Sequence, residues 1–159
     1  MIGNVEAFIF PATFALLPKV MDSREARAML LAIGLQESQF EARRQGGEGP
    51  AKGFWQFEKG GGVKGVLTHT STRRLAEHVC AELCYLPAVE SCYVALEHND
   101  VLACAFARLL LWTLPARLPT RFMHPEAWQQ YRAAWRPGKP HEATWKGNFT
   151  HAWDLVEML

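Results

Sequence analysis

Apolar positions recur at helical spacing along most of the chain. From Ala26 they continue through Met29, Leu30 and Ile33, one stripe of a helix with 3.6 residues per turn. The same stripe reaches Glu37 at i+11, which sets a carboxylate on an otherwise apolar face. Asp22, followed three residues later by Glu25, predicts the cap that opens this helix. Further helices are predicted over "TRRLAEHVCAELCYL", ending before Pro87, and over "AVESCYVALEH". Asp100 is expected to cap "VLACAFARLLLW", the most apolar segment and so the expected central helix. Pro125 suits the first turn of "PEAWQQYRAAW", which stops before Pro137, and a last helix is predicted within "ATWKGNFTHAWDLVEML".

From about Arg43 to Gly65 the helical pattern lapses. The stretch "RRQGGEGPAKGFWQFEKGGGVKG" holds eight glycines and one proline. An irregular segment of this length inside a compact domain is functional or disordered, and its aromatic centre argues against disorder. The only strand signal is a small hairpin around Gly53 to Phe57. The expectation is one mainly α domain spanning residues 1–159, with a glycine-rich loop.

Composition narrows the function. The chain is 49% hydrophobic and 21% charged, ordinary values for a globular protein. Lys plus Arg number 17 against 16 Asp plus Glu, so the net charge of +1 gives no basic surplus. That balance counts against nucleic acid as a partner, including a DNA-binding module built on "STRRLAEHVCAEL". No stretch is long enough to span a bilayer. The apolar start, "MIGNVEAFIFPATFALLPKV", lacks a basic n-region and reads as a packed N-terminal helix, not a secretory signal. The expected place of synthesis is therefore the cytoplasm. Cys80, Cys84, Cys92 and Cys104 are separated by three, seven and eleven residues, which matches no common zinc pattern even with His78 and His98 nearby. They are expected to be reduced core thiols, with no metal and no cofactor, the alternative being a metal site that His78 and His98 lie near enough in sequence to join.

Glu37 carries the chemistry. Burial disfavours its charged form, and a helix C-terminus disfavours negative charge; both raise its pKa. A carboxylic acid still protonated near neutral pH can serve as a general acid. The competing reading is a frayed helix end that leaves Glu37 in solvent.

The loop adds a second motif. "QESQF", followed at short distance by "GPAKGFWQFE", resembles the lysozyme-like lytic transglycosylases and their goose-type lysozyme relatives. In that superfamily a helix ends in Glu-Ser and a loop carries a pattern like Gly-Ala-x-Gly-Leu-Met-Gln-Ile. Glu37-Ser38 matches the first part; Ala51, Gly53, Phe54, Trp55, Gln56 and Phe57 match the second, with aromatic replacements. The match covers residues 22 to 58, and "WRPGKP" (135 to 140) is similar to phage-encoded relatives. The family's Ala-Tyr-Asn-Ala-Gly-like segment is missing. Its nearest counterpart, "ACAFARLLLW", has Phe106 and Arg108 in comparable places.

The resemblance implies a lysozyme-like helical domain that cleaves the β-1,4 bond between N-acetylmuramic acid and N-acetylglucosamine in peptidoglycan strands. Glu37 would be the proton donor. Ser38 would bind substrate or hold the carboxyl, or simply end the helix. Gly53 would let backbone approach a sugar, or only form a turn, and Gln56 would bond hydroxyl or N-acetyl groups. Phe54 and Trp55 would line sugar subsites, unless one anchors the loop in the core. Tyr131 would orient Glu37 through its hydroxyl or belong to a core stripe with Trp128 and Trp135. Arg108 would cross the cleft or pair with a carboxylate. Glu41, Glu48 and Glu58 are the local candidates for a second carboxylate, and all three read as solvated.

Three activities stay open at this stage: a transglycosylase leaving 1,6-anhydro ends, a hydrolytic muramidase, and a non-catalytic glycan-binding virion protein. The expected setting is a bacteriophage product acting on the periplasmic cell wall, carried with virion or tail components or released as an endolysin.

Overall fold

The computed structural model describes residues 2–158. The fold is mainly α, and among the described residues its only β features are isolated bridges at Arg44, Lys52 and Phe57. Among the described residues no helix is long and apolar enough to cross a membrane.

The chain opens with α1 (Ile2–Asn4), which runs through a π turn (Val5–Ile9) into α2 (Phe10–Ala15). Pro11 has no N–H to continue an α ladder, and just before it the Phe10 N–H reaches back five residues to the Val5 carbonyl. Next comes α3 (Arg24–Glu37), whose first turn is capped by Ser23: its Oγ accepts from the Ala26 N–H at 3.1 Å. The expected cap, Asp22, instead holds the Arg27 guanidinium at 2.7 and 2.8 Å. Beyond the loop lie α4 (Lys64–Thr68), α5 (Arg73–Glu82) and α6 (Val89–Ala95). A similar one-residue correction applies to α7 (Asp100–Trp112), where Asn99 accepts from the Leu102 N–H at 3.0 Å. Asp100 is thereby free to bind Arg43 at 2.7 and 2.8 Å, which ties the loop to α7. Finally α8 (His124–Trp135) and α9 (Glu142–Glu157) pack against each other.

The core has two buried axes, not one. Leu102 through Leu111 of α7 are buried, as the sequence leads one to expect. So are Ala28 through Gly34 of α3, which α9 flanks along its length. Between α8 and α9 rises an aromatic column. Tyr131 stacks on Trp145 with centroids 5.0 Å apart and planes 14° apart, and Trp145 stacks on Phe149 at 6.0 Å.

The end of α3 turns sharply. Gln39 and Phe40 both take left-handed φ, 53° and 56°, which folds the Phe40 ring back over Gly34. A Cβ on Gly34 would overlap that ring, so only glycine lets the chain close on itself here. Phe40 then meets Phe54 and Trp55 edge-on at 5.5 and 5.6 Å. The loop is thus nailed to the helix that precedes it.

Gly34→Ala is expected to lower stability by about 1–3 kcal/mol, the usual cost of an overpacked core. Denaturant unfolding of the variant checks this; an unchanged midpoint would mean that the Phe40 ring moves aside freely.

Candidate active site

A cleft of about 1130 Å³ opens between the C-terminal end of α3, the glycine-rich loop, the end of α7 and the C-terminal half of α8. Its lining includes Glu37, Gln56, Glu58, Tyr131 and Trp135. Glu37 is the last residue of α3, half-buried, and the stripe that carries it does run from core to cleft.

Glu37 is held by one side chain. Tyr131 donates its hydroxyl to Glu37 Oε1 at 2.6 Å. That leaves Oε2 as the oxygen able to carry the proton toward the cleft. Burial pushes the Glu37 pKa up to about 7; the Tyr131 bond pulls against this, and the negative charge of Glu58 adds to it. Tyr131 itself is moved upward, by burial first and by the Glu37 charge next to it. Its hydroxyl therefore stays a donor at any ordinary pH. Tyr131 belongs to the aromatic column and also orients the acid; the two readings of it describe the same side chain from its two ends.

The structure brings some of the other expected residues to the cleft and removes the rest. Gln56 lines the cleft, half-buried, at φ 51°, with its Nε2 donating to the Gly53 carbonyl at 2.8 Å. Its amide oxygen remains to accept from a ligand. Ser38 lies off the cleft and does not bond the carboxyl; it ends the helix as the cap that follows Glu37, the third role open to it. Its Oγ donates to the Phe54 carbonyl at 2.7 Å and accepts from the Phe40 N–H at 3.1 Å, so it clips the helix end to the loop. Gly53 faces inward: at φ 75° a Cβ there would lie 2.8 Å from the Leu96 carbonyl oxygen, so its missing side chain serves packing and not a sugar. Phe54 and Trp55 are both fully buried and line no subsite. Phe54 lies under the Arg43 guanidinium at 4.2 Å, and Trp55 donates its indole N–H to the Leu30 carbonyl at 2.8 Å. Arg108 is 2% exposed and lies outside the cleft, where it donates from Nε to the Met21 carbonyl at 2.8 Å. It neither crosses the cleft nor pairs with a carboxylate. The hairpin around Gly53 reduces to one bridge, Lys52 to Phe57, closed by bonds of 3.0 and 2.8 Å.

Several cleft residues escape sequence reasoning. Trp135 lines the wall, held by its indole N–H donating to the Trp55 carbonyl at 2.7 Å. Lys64, Arg136 and Lys139 also line it, and none has an ion-pair partner among the described residues. Of the three carboxylates weighed as partners for Glu37, only Glu58 lines the cleft, and it is exposed. The signal for Glu58 was its place directly after the Gln56-Phe57 pair, at the point where the loop enters a π turn (Lys59–Val63).

The cysteines are unpaired thiols, with Cys80, Cys92 and Cys104 buried and Cys84 exposed. Cys80 and Cys92 touch, Sγ to Sγ at 3.5 Å, a contact that their spacing does not announce.

What the cleft can do is donate a proton near neutral pH from a fixed oxygen, beside hydrogen-bonding and cationic groups able to hold a polar, anionic chain. Two substitutions should move the acid in opposite directions. Tyr131→Phe removes a bond to the ionised form and should raise the Glu37 pKa by about one unit, since a hydrogen bond to a charged group contributes roughly 1.5–3 kcal/mol. Glu58→Gln removes a like charge and should lower it by less. Carbon-13 titration of the glutamate carboxyls reads both; the same direction in both variants would refute this account of the site. Compared with known proteins, the chain matches no family model, no curated protein and no solved structure.

Proposed function

We propose that the protein is a peptidoglycan lytic transglycosylase with Glu37 as its acid and base. One observation carries the reading: a carboxyl with its pKa pushed up to about 7 sits at a cleft, oriented by a tyrosine that contacts only one of its oxygens. The resemblance of "QESQF" and "GPAKGFWQFE" to that superfamily supports the choice of substrate. So do the three unpartnered cations of the cleft wall, because cross-linked strands bear carboxylates on their peptides.

In this mechanism Glu37 Oε2 delivers its proton to the bridging oxygen as the glycosidic bond lengthens and positive charge grows at the anomeric carbon. The ionised carboxylate then takes the proton of the 6-hydroxyl of the same sugar, whose oxygen closes on the anomeric carbon. That attack is intramolecular and carries a large effective concentration. The product is a 1,6-anhydro-N-acetylmuramic acid end, and the enzyme needs no second carboxylate. The carrier of the protein to the wall is proposed to be a phage particle or its lysis system.

A hydrolytic muramidase is the second reading, because Glu58 lines the same cleft and its charge is felt by Glu37. Mass spectrometry of digested peptidoglycan separates the two, since anhydro ends are lighter than reducing ends by one water. Anhydro ends are expected. Reducing ends as the main product would transfer the role of water activation to Glu58.

Glu37→Gln should fold and keep less than about a tenth of the lytic rate, given that acid–base catalysis typically supplies 100-fold or more. It should also be the more stable protein at pH 8. The folded pKa of Glu37 lies above its ordinary value, so between about 4.5 and about 7 the folded state binds the extra proton, and rising pH removes that stabilisation from the wild type. Glutamine does not titrate. Urea unfolding at pH 4 and pH 8 tests this: the variant's advantage should appear only at the higher value.

A further inference from the structure

We propose that a second pocket, on the Arg108 side of α7, binds a carboxylate carried on an apolar body. Arg108 is 98% removed from solvent by relative area, 2% remaining exposed, yet it forms no ion pair among the described residues. Its Nε is used by the Met21 carbonyl. Its two Nη groups find no acceptor among the described residues, and neither is sealed off in the interior. Asp22, the carboxylate whose charge it feels, is already gripped on both oxygens by Arg27. Burial pulls the Arg108 pKa down to about 10, so the guanidinium is still charged at neutral pH. A buried charge left without a partner is strongly unfavourable, whereas an arriving anion would compensate it.

The pocket that Arg108 lines has a volume of about 610 Å³, within the range of small-molecule sites, roughly 300–1,000 Å³. Its wall is Val20, Leu111, Leu118 and Trp112, whose ring faces the Arg108 guanidinium at 5.1 Å. Its polar edge is Ser23 with the first turn of α3, where the N–H groups of Arg24 and Glu25 have no intrahelical acceptor. Arg117 adds a cation with no ion pair among the described residues and Thr120 a hydroxyl, while the Glu25 carboxylate offsets one positive charge. The net charge of the lining is +1, counting Arg108 and Arg117 against Glu25. One surplus charge favours a monoanion over a phosphate dianion. The two free Nη groups lie in one plane, which suits the two oxygens of a carboxylate. The indole and aliphatic wall accounts for the apolar body.

Hexanoate is the probe, with hexanol and inorganic phosphate as controls. Hexanoate at about a hundred times its dissociation constant should raise the melting temperature of the wild type by on the order of 5 °C. Hexanol and phosphate should do little. Arg108→Met should melt no lower than the wild type without probe, and should show no rise with it. A wild type that hexanoate leaves unmoved, a rise that survives in Arg108→Met, or a rise with phosphate as large as that with hexanoate would each overturn the proposal. If Arg108→Met does not fold, the Arg108 Nε–H resonance of the wild type decides: displacement by hexanoate supports the site, and a stationary signal removes it. Melting and resonance position do not depend on lysis, so this result is separate from the role of Glu37.

Discussion

Trp55 is the joint on which the cleft depends. Its indole N–H donates to the Leu30 carbonyl inside α3, and its own carbonyl accepts the indole N–H of Trp135 at the end of α8. One loop residue thus fastens the helix that bears the acid to the helix that bears its hydroxyl partner. The first bond is buried, where leaving either group unpaired would cost about 1–3 kcal/mol, and the second lies half-buried at the cleft wall. The 2.6 Å contact between Tyr131 and Glu37 is the consequence, since α3 and α8 share no covalent neighbour near that point. A rigid support of this kind is what an acid needs if its proton is to leave from a fixed oxygen.

The same arrangement explains why Glu37 is tolerated where it is. The apolar stripe of α3 drives the helix into the core, and its last member emerges at the cleft floor. Burial raises the pKa; the Tyr131 hydroxyl limits the rise and so keeps it near neutral. Without the tyrosine the carboxyl would hold its proton more firmly and give it up less readily. Without burial it would have lost the proton already. The balance of the two makes one carboxyl usable in both directions, and holding it in the folded chain carries a cost above its ordinary pKa.

Periodicity made the helices legible, because a stripe such as Ala26–Met29–Leu30–Ile33 has one solution in a folded chain. It exposed Glu37 for the same reason. Caps were read one residue off at Asp22 and Asp100, where Ser23 and Asn99 stand next in line. Adjacent polar residues compete for the first turn, and an aspartate with an arginine within reach is drawn away from it. The loop departs further from its sequence pattern. Phe54 and Trp55 are neighbours in sequence, so one of them would face out of an extended strand. Positive φ at Gly53 and Gln56 bends the chain so that both face in. Tyr131 lies 94 residues from Glu37, a separation over which helical spacing carries no information.

The aromatic side chains by which the loop motif differs from the pattern it resembles all point inward. Aromatic replacements at Phe54, Trp55 and Phe57 fall on buried positions, so they change how the loop fills the core and not what the cleft presents. Phe106 and Arg108 are buried too. The hydroxyl and the wall beside Glu37 come from α8, through Tyr131 and Trp135. Among its buried residues α7 is wholly apolar but for Arg108. That exception is the one position in α7 where a buried charge still waits for a partner, and it faces away from the acid.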